Sequence, residues 1–450
     1  MPQSSSGLIR YLFCGRRERR RLSMQNEIHY LTDPCTGDVC CRIRHSSGLE
    51  IRVAEMPEFS TAYAQFSTRF GSIHRCFREN GKTVFLPAGT AHYMEHKLFE
   101  KEDGDIAVRF DELGAACNAF TDFDRTVYHF HTQRGFDKAL GILLRFVMTP
   151  YFTERTVSRE RSIILQEIME MLDDPASQVF NQLLRGMYHT LPLYPDVLGT
   201  PESIMEITPE LLRQCHRIFY HPQNMVLCCA GNVSAKQVLA VADRFVKPVP
   251  LPDAETVFLT EPDMPVQNRV SQRMAVGKQQ FMIGFKSRPL SGTARLRESL
   301  LCSLTLDLLT GSAAPLCQKM LHDGLINDTF DTECFAGDGW FAVLAEGESD
   351  DPQAVLDAIC TEAERVLREG IDETLFSVLK KAAYGDSILG MNDPESVCTA
   401  LTDAFMWDCE SPYLRTQLLA SLTTEDVCRC LRERFRRDRT CLSVIAPAPL

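Results

Sequence analysis

The sequence predicts an α+β protein made of two homologous α/β-sandwich domains. Three observations carry this. Alternating apolar/polar stretches and amphipathic stretches occur in both halves without a regular βαβ rhythm. Two segments recur at nearly the same offset. A stretch rich in proline and acid, "KPVPLPDAETVFLTEPDMPVQ", separates the halves and reads as a linker. At 450 residues the chain also exceeds one ordinary core.

The recurrence is specific. "ITPELLRQCHRIFYHPQNMVLCCAGN" begins at Ile207 and "LTTEDVCRCLRERFRRDRTCLSVIAP" at Leu422. Each runs through threonine, an acid and an amphipathic helix ending in Phe219 or Phe435, then an apolar strand. "YFTERTVSRERSIILQEI" pairs likewise with "GIDETLFSVLKKAAYGDSIL". The predicted organisation is a basic tail over 1–24, a first domain over 25–247, a linker over 248–267 and a second domain over 268–450.

Along the first domain, "EIRVAEMPE" and "AYAQFSTRFGSIHRCFR" alternate and predict neighbouring strands. "GTAHYMEHKLFE" follows Pro87 and Gly89, so a helix opens there with Thr90 as its N-cap. "GAACNAFTDFDRTVYHFHT" returns to alternation, with Val127, His129 and His131 on one face and Tyr128 and Phe130 on the other. Amphipathic helices are predicted over Phe136–Phe146, Glu154–Leu172 and Gln178–Tyr188.

Composition narrows the function. A net charge of −12 lacks the basic footprint of a nucleic-acid binder. No run approaches the length of a membrane span, so no membrane is expected as a partner. The 18 cysteines include no CxxC pair, and several sit in apolar runs where a thiol acts as a small hydrophobe. The apolar part of the N-terminal stretch is too short for a signal core and precedes the arginines. The expectation is a reduced, cytoplasmic protein, whose first residues are a disordered basic tail or an over-extended start ahead of Met24.

Within "HYMEH", His92 and His96 are four apart and share a helix face, and Glu95 lies beside them. Two imidazoles and a carboxylate can hold a hydrolytic metal and its base, but a third ligand has to come from elsewhere. The same pattern also fits the polar edge of an ordinary helix. In "SRERSIILQEIMEMLDDP", Glu160 and Glu167 are seven apart on one helix face, where a third ligand and its supporting acid would be needed. Ordinary surface charge is the plainer reading of such glutamates.

From about Thr61 onward the chain resembles the pitrilysin/insulinase family of zinc peptidases, the inverzincins. The resemblance rests on "HYMEH", "NAFT", "RERSIILQEI", "GTPESI" and "FYHPQNMVLCCAGN". Its short bacterial members, with "HKLFEKEDGD" after the motif, are the most similar. The resemblance implies a duplicated insulinase-type fold and one zinc per chain, held by His92, His96 and Glu167. It makes Glu95 the general base and Glu160 the acid behind the ligands. It also implies that a peptide substrate pairs with the strand carrying Asn118, Ala119 and Phe120. The spacing of 71 from His96 to Glu167 is slightly shorter than the family's usual one.

One departure stands out. Catalytically complete relatives carry an arginine and a tyrosine in the second domain, and here "MLHDGLIN" puts Met320 and Asn327 at those positions. Some relatives divide these duties between two chains. The expectation is therefore a zinc endopeptidase subunit acting on peptides or unfolded segments. It would pair with a homologous subunit that lacks HxxEH and carries the Arg/Tyr pair. A non-catalytic scaffold or peptide-binding subunit of the same fold is the alternative. A structural zinc site is a third reading, although no cysteine neighbours the motif in sequence.

Overall fold

The structure is a computed structural model that describes residues 26–449, so the expected basic tail and Met24 lie outside the described residues. The chain forms two compact units, and they are not the sequential halves expected from the linker. One takes the chain as far as Ile168, with Pro195–Thr260 and Gly390–Pro412. The other takes Met169–Tyr194, Glu261–Leu389 and the chain from Tyr413 onward. Each unit thus includes one helical segment from the other half of the sequence.

The first unit is built on a seven-stranded sheet. Its order is Glu27–Thr32, Val39–Arg44, Glu50–Glu55, Met225–Gly231, Ala62–Thr68, Thr126–Thr132 and Ala116–Thr121. Met225–Gly231 runs parallel to Glu50–Glu55 and antiparallel to Ala62–Thr68. The two strands expected to be neighbours are therefore separated. The separating segment "MVLCCAG" is buried along its whole length, which is the pattern of a central strand.

The pleat gives this sheet two different faces. Ile51, Val53, Phe66, Tyr128, Phe130 and Leu227 face the main apolar core, with helices Phe136–Met148 and Ala235–Phe245. Arg52 and Gln65, each adjacent in sequence to one of these, project to the opposite face. Helix Pro394–Met406 satisfies them there. Gln65 Nε2 donates to Thr399 at 3.0 Å, Thr402 donates to Gln65 Oε1 at 2.6 Å, and Arg52 donates to the Leu401 carbonyl at 3.1 Å. Buried polar groups on a sheet need such partners, so the sheet specifies the helix that covers it.

The second unit repeats the scheme with five strands in the order Arg269–Met274, Thr440–Pro447, Gln280–Ser287, Trp340–Glu348 and Asp331–Gly337. Thr440–Pro447 again runs parallel to one neighbour and antiparallel to the other. Helix Pro175–Met187 packs on this sheet. Two glycines allow the close approach. A Cβ on Gly284 would lie 2.3 Å from Met187 Sδ, and one on Gly186 would lie 2.5 Å from Cys441 Sγ.

The repeat read in sequence is a structural repeat. Helix Pro209–Phe219, a 3₁₀ turn and strand Met225–Gly231 correspond to helix Thr424–Arg434, a 3₁₀ turn and strand Thr440–Pro447. The repeated Asp-Pro-x-Ser also caps the two exchanged helices. Asp174 accepts from Ser177 N at 2.8 Å and Asp393 from Ser396 N at 2.9 Å. Each such cap is worth about 1 kcal/mol.

The linker is only partly a linker. Ala254–Thr256 adds a third strand beside Cys76–Glu79 and Lys82–Phe85. In the second unit, Glu261 accepts from the backbone of His189, Thr190 and Leu191 at 2.8–2.9 Å and from Lys286 at 2.6 Å. Among the described residues no single helix is long and apolar enough to cross a membrane.

Candidate metal centre

The HxxEH segment forms helix Thr90–Phe99 in the first unit. Its cap is Gly89, not the expected Thr90: Gly89 is left-handed at φ 82°, and a Cβ there would lie 2.3 Å from the Leu198 carbonyl oxygen. Thr90 is already helical, and its hydroxyl donates to the Pro87 carbonyl at 2.7 Å. Tyr93, Met94 and Leu98 enter the core and fix the helix rotation, leaving His92, Glu95 and His96 on an adjoining stripe. His92 and His96 lie edge to face, with centroids 4.5 Å apart.

Helix Glu154–Asp173 supplies the facing carboxylates. Val157, Ile164 and Ile168 anchor its inner side in the core. Glu160 and Glu167 lie on that side at helical spacing. Glu167 Oε2 is 3.8 Å from His92 Nε2 and 3.7 Å from His96 Nε2. One donor atom from each of His92, His96 and Glu167 lies within 4.8 Å of the other two. A tetrahedral ion with ligand bonds of about 2.1 Å holds its donors roughly 3.4 Å apart, so the donor set fits zinc closely. This group contains no cysteine, and three protein donors leave one position open.

The outer partners bias the donors toward the same use. His96 Nδ1 hydrogen-bonds Glu160 Oε1 at 3.1 Å, which turns its Nε2 lone pair toward Glu167. His92 has no such brace among the described residues, and its Nδ1 is buried without a partner. Burial, together with the charge of His96, lowers the His92 imidazole to about 3, so it stays neutral as a ligand must. Burial also pulls His96 down, but its bond to Glu160 and the Glu167 and Glu95 carboxylates outweigh this and raise it. Glu160 is itself disfavoured as an anion by burial, and His96 and Lys97 reverse that to leave it lowered.

Lys97 is a participant that the sequence reading missed. It is fully buried, its Nζ lies 3.4 Å from Glu160 Oε2, and it also pairs with Glu100. The available signal was a lysine directly after HxxEH in an otherwise buried helix. Thr121 was missed too. Its hydroxyl donates to Glu95 Oε2 at 2.8 Å. Burial raises Glu95, with the Thr121 bond acting against it.

Thr121 ends strand Ala116–Thr121, which lies at the edge of the sheet with Thr126–Thr132 as its single sheet neighbour. Asn118 and Phe120 are exposed on one face, while Ala119 and Thr121 are half-buried on the other. In the second unit, Met320 is buried in helix Pro315–His322. Asn327 donates to Glu348 at 2.9 Å.

The two-unit fold of sheets and helices is that of the M16-like peptidases. Residues 87–201 match the family described as Insulinase (Peptidase family M16), and residues 206–383 match the Peptidase M16 inactive domain. The chain belongs to the insulinase family. A Bacillus subtilis (strain 168) protein named as the uncharacterized zinc protease YmfH is 32% identical over 411 residues, which is 89% of this chain and 95% of that relative. An uncharacterized zinc protease of Streptomyces coelicolor, SCO5738, is 27% identical over 377 residues, 80% of this chain and 81% of the relative. The crystal structure of an M16-like peptidase from Alicyclobacillus acidocaldarius superposes with a TM-score of 0.87 at 29% identity, covering 95% of this chain and 100% of that one.

Proposed function

We propose that this protein is a zinc-dependent endopeptidase hydrolysing peptides or unfolded protein segments. The observation that carries the reading is the convergence of His92, His96 and Glu167 on one point, with Glu95 beside them. His92 and His96 Nε2 and a Glu167 oxygen would hold one zinc. When bound, zinc acidifies water and polarises the scissile carbonyl. Glu95 takes the proton from the attacking water and returns it to the leaving amine. Thr121 keeps the Glu95 carboxylate in position. Glu160 and Lys97 hold the His96 ring at its Nδ1 side.

A peptide adds as a further strand to the open edge of Ala116–Thr121, through backbone hydrogen bonds along Asn118, Ala119 and Phe120. Thr121 ties the end of that strand to Glu95, which brings a paired backbone to the base. The absence of the Arg/Tyr pair at Met320 and Asn327 supports a division of labour with a homologous subunit that carries the pair. The described cysteines form no disulfide with one another, which supports a cytoplasmic setting.

Replacing Glu95 with Gln tests the reading. Zinc content should stay at one per chain while peptide cleavage falls by about 10²–10⁴. Turnover retained by that variant would refute the general-base role. The non-catalytic alternative predicts that the wild-type chain, with its partner present, cleaves no peptide at all.

A further inference from the structure

A second chemistry-bearing cluster lies in the other unit, away from the proposed metal centre in sequence and in compact unit. Cys302, on helix Gly292–Thr310, and Cys430, on helix Thr424–Arg434, are both fully buried, with their sulfurs 3.5 Å apart. The helix of Cys302 also packs on the strand that carries Cys334, with the Thr310 and Thr332 hydroxyls 3.5 Å apart between them, and the Cys302 and Cys334 thiols act on each other electrostatically. Cys334 belongs to Asp331–Gly337, the edge strand of the five-stranded sheet, and is only half-buried. Cys302 thus lies against Cys430 and neighbours Cys334, and one end of the set of three reaches toward solvent.

Glu298, one helical turn before Cys302, places a carboxylate oxygen within 4.8 Å of the Cys302 and Cys430 sulfurs. That carboxylate is already occupied. Arg429 donates to it at 3.0 Å and Arg434 at 3.0 Å. Two guanidiniums beside the thiols take up the oxygen donor and repel a cation, so the group is poorly suited to metal. Neighbouring sulfurs suit disulfide exchange, in which each transfer brings one sulfur onto the next.

We propose that Cys334, Cys302 and Cys430 form a thiol relay through which a hydroperoxide oxidises the buried Cys302–Cys430 pair to a disulfide. Cys334 sulfur attacks the peroxide, breaking its O–O bond; this gives Cys334 sulfenic acid and an alcohol, or water from hydrogen peroxide. Cys302 sulfur attacks Cys334, forming their S–S bond and releasing water that carries the Cys302 proton. Cys430 sulfur then attacks Cys302 and expels Cys334 as thiolate, which takes up the Cys430 proton. Two thiols and one hydroperoxide give one disulfide, one alcohol and one water. The product ties together two helices whose cysteines are 128 residues apart, which restricts the unfolded chain.

The test uses the full chain exposed to hydrogen peroxide, quenched in acid, denatured, alkylated and mapped by mass spectrometry. A Cys302–Cys430 bridge should appear with the loss of two hydrogens, and the unfolding midpoint should rise by several degrees. Cys334→Ser should slow bridge formation at least about tenfold. Cys302→Ala should abolish it and leave Cys334 oxidised; Cys430→Ala should trap a Cys302–Cys334 bridge. Each variant's circular dichroism before oxidation establishes that it is folded. Cys302 and Cys430 both remaining alkylatable in the oxidised wild type, or bridging as fast without Cys334, would overturn the relay. So would zinc retained by the His92→Ala/His96→Ala chain and lost on adding Cys302→Ala, since that would make the cluster a metal site.

Discussion

Thr121, at the end of the edge strand, donates its hydroxyl to Glu95 at 2.8 Å and so joins the proposed peptide-binding strand to the proposed base. The bond is local in space but spans 26 residues of sequence. It makes strand position and base position one variable. Thr121→Val should therefore lower turnover about tenfold while zinc content stays at one per chain, and Thr121→Ser should restore most of it. Unchanged turnover in the valine variant would leave this bond without a role in the reaction.

Glu160 braces His96 at Nδ1, the ring nitrogen that does not face Glu167. Glu160→Gln should weaken zinc binding by about 10–100-fold, the usual cost of losing a carboxylate behind a histidine ligand. A chelator competition titration reads this directly, and wild-type affinity in the variant would show the brace to be idle.

Lys97 pairs with Glu160 at 3.4 Å, and both groups are buried. Removing Lys97 leaves the buried Glu160 carboxylate with the His96 imidazole and Glu100 with Arg159. Lys97→Met should cost on the order of 3–5 kcal/mol in denaturant unfolding. The double variant Lys97→Met/Glu160→Gln should recover part of that loss, because the buried charge has gone with its partner.

His216 predicts an acid-side loss of stability. It hydrogen-bonds the Val147 carbonyl at 2.8 Å and stacks on Tyr220 with centroids 5.0 Å apart. Burial lowers it to about 4, against about 6.5 in an unfolded chain. Its contribution is complete above pH 6.5 and is lost as pH falls toward 4, because the unfolded state takes up the proton first. That amounts to about 3 kcal/mol. His216→Gln should flatten the stability curve across this window, and an unchanged slope would contradict the assignment.

Met320 and Asn327 predict dependence on a second chain. The isolated protein should cleave peptides slowly, and a homologous subunit with the Arg/Tyr pair should raise the rate about 10²–10³-fold, the usual worth of such electrostatic help. Full activity from the isolated chain, unchanged by that partner, would count against the divided site.

The sequence by itself determined the local elements, because they follow from patterns a few residues long. The helix through His92 and His96, the helix through Glu160 and Glu167 and the alternating strand ending at Thr121 are legible this way. The repeat was legible because its helix–turn–strand order is preserved in both copies. Tertiary structure decided what patterns of that length cannot encode. It inserted Met225–Gly231 between two strands that are adjacent in sequence, and it drew helix Pro394–Met406 over the polar face bearing Arg52 and Gln65. It also made a strand of Ala254–Thr256 inside the expected linker. The same holds at the candidate centre, where Lys97 and Thr121 became partners of the glutamates only once separate elements had packed. Buried charges and hydroxyls have to find partners wherever the fold brings them, and that requirement acts across space, with no fixed spacing along the chain.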